Sequence, residues 1–130
     1  MLELMLAGFS SAEMAGKLAK PLSTVQRRSR NLIQSGLIEH RYELNYKKLG
    51  YRVAYLHVYV NGADVNVISH KVRQVDGAKS VSVHIGNSDI VAKYACKTNQ
   101  ELMEIIGRVR KIDGVQRVVW SEEVYALPPK

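Results

Sequence analysis

Apolar residues recur along this chain with two periods, and the change between them divides it. Through residue 38 the spacing is helical. Met14, Ala15 and Leu18 form one stripe, and Leu22 or Val25, then Ser29, Leu32 and Ile33, form a second. Met1–Ala7 reads as a short apolar helix that packs on these two. Ser10 or Ser11 is a natural N-cap for the first stripe, with Glu13 placed where a carboxylate complements the helix dipole. Pro21 is expected to open the next helix, because its fixed φ suits the first helical position and its missing N–H costs nothing there. Gly36 is expected to close that helix as a left-handed cap.

After residue 52 the period becomes two. Ala54, Leu56, Val58 and Val60 share one strand face, and Val81, Val83 and Ile85 share another; both sets are expected to face helices. The opposite face carries Tyr55, His57, Tyr59, Ser82 and His84. Between the two regimes lies EHRYELNYKKLGYR, residues 39–52. Its loose alternation predicts a strand or wing and then a hinge, with the domain boundary near Leu49 and Gly50.

The second regime contains an internal repeat. A shift of 37 residues lays Ile68, Lys71, Val72, Arg73, Val75, Asp76, Gly77 and Val81 on Ile105, Arg108, Val109, Arg110, Ile112, Asp113, Gly114 and Val118. The same shift lays Val53–Val60 on Ile90–Lys97. Each copy reads as strand, loop, helix, Asp-Gly turn and strand, the glycine supplying the positive φ that the turn needs. Two such units in series predict a ferredoxin-like βαββαβ domain. One sheet face would then lack helices while carrying three aromatic rings, too apolar to leave in water. Burial against a twin sheet gives an isologous dimer, with Tyr55, His57, Tyr59 and His84 as interface residues and His57 and His84 on neighbouring strands. Trp120 is expected in the core or at that interface.

Charge changes the picture for the first regime. The chain carries a net +7, and residues 1–52 hold nine Lys/Arg against four Glu. The excess surrounds the second helix, as an electrostatic footprint for a polyanion would. The outward residues of that helix are Ser23, Thr24, Gln26, Arg27, Arg30, Asn31 and Gln34, with no carboxylate among them. Hydroxyl, amide and guanidinium groups of this kind read base edges and grip phosphates. A merely solvated face would mix Glu with Lys.

The pattern E-M-A, Leu18, P-L-S-T-V-Q-R-R, Leu32, Gly36 and Ile38, followed by the doubled βαβ region, resembles the leucine-responsive regulatory protein/AsnC family of transcription regulators. The resemblance covers nearly the whole chain. It implies an α+β fold: an N-terminal (winged) helix-turn-helix domain over residues 1–38, a linker strand and hinge over 39–52, and a ferredoxin-like effector-binding and oligomerisation domain over 53–130. It implies double-stranded DNA as partner, with Lys20, Ser23, Thr24, Gln26, Arg27, Arg28, Arg30 and Asn31 as contacts, Arg28 being the one that can instead brace the helices. It implies a homodimer, or a tetramer or octamer built from dimers, and a linker that pairs with its counterpart in a second subunit. Gly86, Asn87, Ser88 and Asp89 resemble the family's hairpin near which an amino acid or similar effector binds; ordinary turn chemistry accounts for the same four residues. Relatives of this family have a longer first helix.

Other classes find less support. No apolar run reaches the roughly 18 residues of a membrane span, and no export signal is visible. The single cysteine, Cys96, cannot form an internal disulfide, and a reducing cytoplasm is expected. The four histidines are scattered without metal-ligand spacing, so neither a metal nor a cofactor is expected. Two alternatives stay open: a tetrapyrrole-pathway decarboxylase-like enzyme on the same fold, and a ligand-sensing oligomer that no longer binds DNA.

Overall fold

Three helices occupy the first part of the computed structural model, which describes residues 1–62 and 64–128. They are α1 (Leu2–Leu6), α2 (Ser11–Leu18) and α3 (Leu22–Gln34). A reciprocal cap starts α2: Ser10 Oγ accepts the Glu13 N–H at 3.2 Å, and the Glu13 carboxylate accepts the Ser10 N–H at 3.4 Å. Ala19 ends it in the left-handed region, φ 51° and ψ 46°. Pro21 sits one step before the position expected of it. With ψ at 141° it is the N-cap of α3, and its carbonyl accepts the N–H groups of Thr24 and Val25. Gly36, at φ +77°, takes the chain away from α3 as expected.

Met14 and Val25 are the buried centre of this unit, Met1–Glu43. Ile33 was expected beside them but is 41% exposed. It lines an open groove with Met5, Leu6, Phe9 and Ile38. Ser29 is half-buried and its hydroxyl points at Met5 Sδ, 3.8 Å away. The strand expected after Ile38 is not formed: residues 39–45 are irregular and 46–50 are turns. Paired backbone is what makes a strand, and among the described residues none is offered to this segment.

The second unit is Leu44–Lys130, so the division falls inside the 39–52 segment and ahead of Leu49. Its elements are β1 (Arg52–Val60), α4 (Val65–Gln74), β2 (Ala78–Val83), β3 (Ile90–Cys96), α5 (Asn99–Arg110) and β4 (Val115–Glu122). The four strands form one antiparallel sheet in the order β2-β3-β1-β4. Both copies of the repeat fold alike. Asp64 caps α4 through the Asn66 N–H and Thr98 caps α5 through the Glu101 N–H. The two Asp-Gly turns have Gly77 at φ +96° and Gly114 at φ +92°.

The core lies between the sheet and the two helices. Ala54, Leu56 and Val58 of β1 and Ile90, Ala92, Tyr94 and Cys96 of β3 meet Ile68, Val72, Leu102, Ile106 and Val109. Tyr94 is wholly buried and its hydroxyl donates to the Val72 carbonyl; burial pushes its phenol well above the usual range. Cys96 is a buried thiol, raised by desolvation and partly offset by Arg52 nearby. Val60 and Val81 also pack on this core, but Val83 and Ile85 depart from expectation. The outer strand β2 stops at Val83, leaving that side chain half exposed and Ile85 projecting from the hairpin beyond it. Trp120 pairs with Leu56 on the helix side of outer strand β4 and is partly exposed there.

Candidate nucleic-acid face and ligand hairpin

A turn of three residues, Ala19 to Pro21, joins α2 to α3. Burial of Val25, with Ser29 and Leu32 half-buried beside it, fixes which side of α3 faces inward. Ser23, Arg27, Arg30 and Gln34 then follow at i, i+4, i+7 and i+11 on the opposite side, and all four are exposed. Gln26 and Asn31 flank them, also exposed, and Lys20 is exposed in the turn. The face is an array of hydrogen-bond donors and acceptors with two guanidinium groups one turn apart. No acidic residue stands in the first turn of α3, so nothing competes with an anion for its positive end.

Two expected contact residues sit differently. Thr24 is half-buried, and Arg28 lies with Asn31, Leu32 and Ser35 along a groove whose other wall is Met1, Leu2 and Glu3 of the α1 region. Arg28 remains exposed along that groove. Gln34 belongs to the face but was left out of the expected contacts, although its i+11 spacing from Ser23 carries the signal.

The hairpin from Val83 to Ile90 brings Gly86, Asn87, Ser88 and Asp89 together, but two of its polar side chains already have partners. Ser88 is 8% exposed, and its Oγ lies 3.2 Å from His57 Nδ1. The Asp89 carboxylate accepts the Val60 N–H at 3.0 Å, while the Asp89 N–H donates to the Val58 carbonyl. Both residues lash the hairpin to β1. Gly86, at φ +130°, and Asn87 stand exposed at the tip, where backbone and amide groups face solvent.

The uncovered sheet face is built as the alternation predicts, with Tyr55, His57 and Tyr59 half-buried and His84 exposed. Tyr59 stacks under Arg117, whose guanidinium is 4.2 Å from the ring centre. His57 and His84 are not on neighbouring strands, because the split topology inserts β3 between β1 and β2. His84 Nε2 lies instead 2.7 Å from Ser82 Oγ on its own strand line. At the start of β1, on the helix side of the sheet, Arg52 grips Glu122 through two hydrogen bonds, one of them 2.8 Å, and this holds the Glu122 carboxyl below its ordinary range. Among the described residues, no group of three His, Cys, Asp or Glu side chains could hold a metal, and no helix is long and apolar enough to cross a membrane.

No protein-family model and no curated protein matches the sequence. Solved structures do match along the length of the chain. E. coli AsnC superposes with a TM-score of 0.79 at 22% identity, covering 98% of this chain and 89% of that one. A feast or famine regulatory protein of M. tuberculosis complexed with L-methionine gives 0.81 at 18%, covering 98% and 88%. A transcriptional regulator of Neisseria meningitidis in complex with L-methionine gives 0.79 at 15%, covering 98% and 86%. The chain has the fold of the Lrp/AsnC regulators. That Lrp/AsnC fold is mixed α/β, with a four-stranded antiparallel sheet that here belongs to the second unit.

Proposed function

We propose that the chain is an Lrp/AsnC-type transcription regulator that binds double-stranded DNA. In this reading α2 and α3 are a helix-turn-helix, and the second unit is a ferredoxin-like oligomerisation and effector domain. The observation that carries it is the exposed, carboxylate-free face of α3. Arg27, Arg30 and Gln26 reach base edges in the major groove, with Gln34 and Asn31 at the flanks, while Ser23 and Lys20 hold phosphates. Thr24 and Arg28 support the helix more than they touch DNA.

The half-buried rings of Tyr55, His57 and Tyr59 support a dimer through the uncovered sheet face. Each Å² of apolar area removed from water contributes about 25 cal/mol to such a contact. Two recognition helices would then address half-sites about one helical turn apart, and dimers can assemble further into tetramers or octamers. An amino acid is the effector class favoured by the methionine-bound neighbours. At the hairpin it would meet the backbone near Gly86 and the Asn87 amide, since Ser88 and Asp89 already serve β1. A regulatory role, rather than a catalytic one, and a cytoplasmic location follow from a DNA partner.

Two substitutions test the division of labour on α3. Arg27→Ala relaxes base preference at a cost of roughly 1–3 kcal/mol, whereas Lys20→Ala weakens specific and random duplexes alike. Binding titrations on the DNA upstream of its own gene and on scrambled DNA separate the two. Equal losses on both duplexes from both variants would refute it.

A further inference from the structure

The second unit ends in an outer strand with one side unused. Arg117 to Ser121 of β4 pair with Tyr59 to Tyr55 of β1 without interruption, and β4 is the last strand of the sheet. Just beyond it, the Glu123 N–H donates to the Val53 carbonyl at 2.8 Å. Antiparallel bonding alternates, so Ser121, Val119 and Arg117 turn their backbone groups to β1. Glu122, Trp120 and Val118 turn theirs outward, in the plane of the sheet. Such a row of N–H and C=O groups is a template for another strand.

The two outer strands are not equally guarded. β2 shifts register between Ala78 and Ser80 and carries Lys79 at that point, and both features discourage pairing. The middle of β4 reads Val118-Val119-Trp120-Ser121, without a charge or a proline, and Val119 and Trp120 are partly exposed. Side chains must also match, since opposed residues share a face. Setting Val119 opposite itself on a two-fold axis puts Val118 of each copy opposite Trp120 of the other, and Arg117 opposite Ser121. No like charges meet, and Arg117 approaches the Glu122–Glu123 end of the other copy. Slipping by two residues instead sets Trp120 against Gln116, or Val118 against Glu122. The strand is complementary to itself in one antiparallel register.

The geometry points to a contact between two copies of this chain through β4, antiparallel and centred on Val119. It continues their sheets edge to edge in the order β2-β3-β1-β4-β4-β1-β3-β2. The contact uses the in-plane edge rather than the uncovered face, so it can join sheet-face dimers to one another and does not rest on them.

The test introduces single cysteines into the full chain, whose own Cys96 is buried. Antiparallel partners that exchange no hydrogen bonds have Cα atoms about 4.5 Å apart, within the roughly 4.4–6.8 Å that a disulfide spans. Under mild oxidation V119C links to itself, R117C and S121C link only when mixed, and the parent gives no linked species. The pattern persists when Y55E is added to put a charge into the sheet-face contact. In sedimentation velocity W120K halves the size of the assembly at matched concentration, while W120F keeps it. If W120K fails to fold by circular dichroism, the cysteine pattern decides alone. Absence of linkage in V119C, or linkage of R117C alone equal to that of the mixture, overturns the proposal. A pattern that Y55E abolishes overturns it too, because the cysteines were then meeting across the sheet faces. A parent assembly unchanged by Y55E, with the pattern intact, removes the sheet-face dimer and leaves the edge contact standing.

Discussion

Replacing Gly77 by alanine adds a single methyl group at a place with no room for it. The residue leaves α4 at φ +96°, where an L side chain is strained whatever surrounds it. A Cβ built there would lie 2.9 Å from the Ala95 carbonyl oxygen and 3.3 Å from Ile105 Cδ1. The first is strand backbone, tied back by the Ala95 N–H donating to the Gly77 carbonyl at 2.9 Å, so it cannot swing aside. The left-handed conformation costs roughly 1–2 kcal/mol, and forcing a methyl into a packed site adds about 1–3 kcal/mol. The sum is a large share of the roughly 5–15 kcal/mol that holds a typical domain together. Urea melts followed by circular dichroism give the value. Gly62→Ala is the control, since Gly62 has φ +64° and nothing within 4 Å of its would-be Cβ; it reports the dihedral cost alone. A Gly77→Ala loss no larger than that of Gly62→Ala would refute the contact argument.

Ala19→Gly, at φ 51°, should stabilise the helical unit by about 1 kcal/mol, because glycine takes this conformation without the Cβ clash; a thermal melt showing a loss counts against it. Glu122 is held below its ordinary range by Arg52, so its contribution is complete above the unfolded glutamate value of about 4.3 and disappears as pH falls through the lower folded value. Glu122→Gln is accordingly less stable than the parent at neutral pH, and the gap closes in acid; a gap independent of pH between neutral and strongly acidic buffers would contradict this.

Much of the second unit is legible in the sequence because its repeat is a repeat of physics. Asp76-Gly77 and Asp113-Gly114 mark the same turn, and Ile68 and Val72 are buried where Ile105 and Val109 are, but the strands slip by one: Ala54, Leu56 and Val58 face the core as Ile90, Ala92 and Tyr94 do. The alternation assigns a face to Tyr55, His57 and Tyr59, but it says nothing of which strands become neighbours. That is why His57 and His84 were expected side by side. Ser88 and Asp89 read equally as turn residues and as ligand groups; only the approach of β1 across the hairpin, distant in sequence, shows where their polar atoms go. Tyr46 and Tyr51 fall in the segment whose pattern reads as linker, because rings that pack on lysines remote in sequence leave no local period. On α3 the helical period by itself puts Ser23, Arg27 and Arg30 on the exposed side, and the structure has them there. Arg28 is exposed as well, beside a groove whose other wall is the α1 region, which the period does not foretell.

The strand order has a consequence for the assembly of the second unit. In β2-β3-β1-β4, β1 and β2 of the first half never touch, nor do β3 and β4 of the second, so every rung of the ladder joins one half to the other. A single half-length peptide would thus own two strands and no sheet, and could acquire one only by meeting a twin. A chain that carries both halves keeps that association within one molecule, and cutting the loop at Gly86 should leave fragments that fold only when mixed.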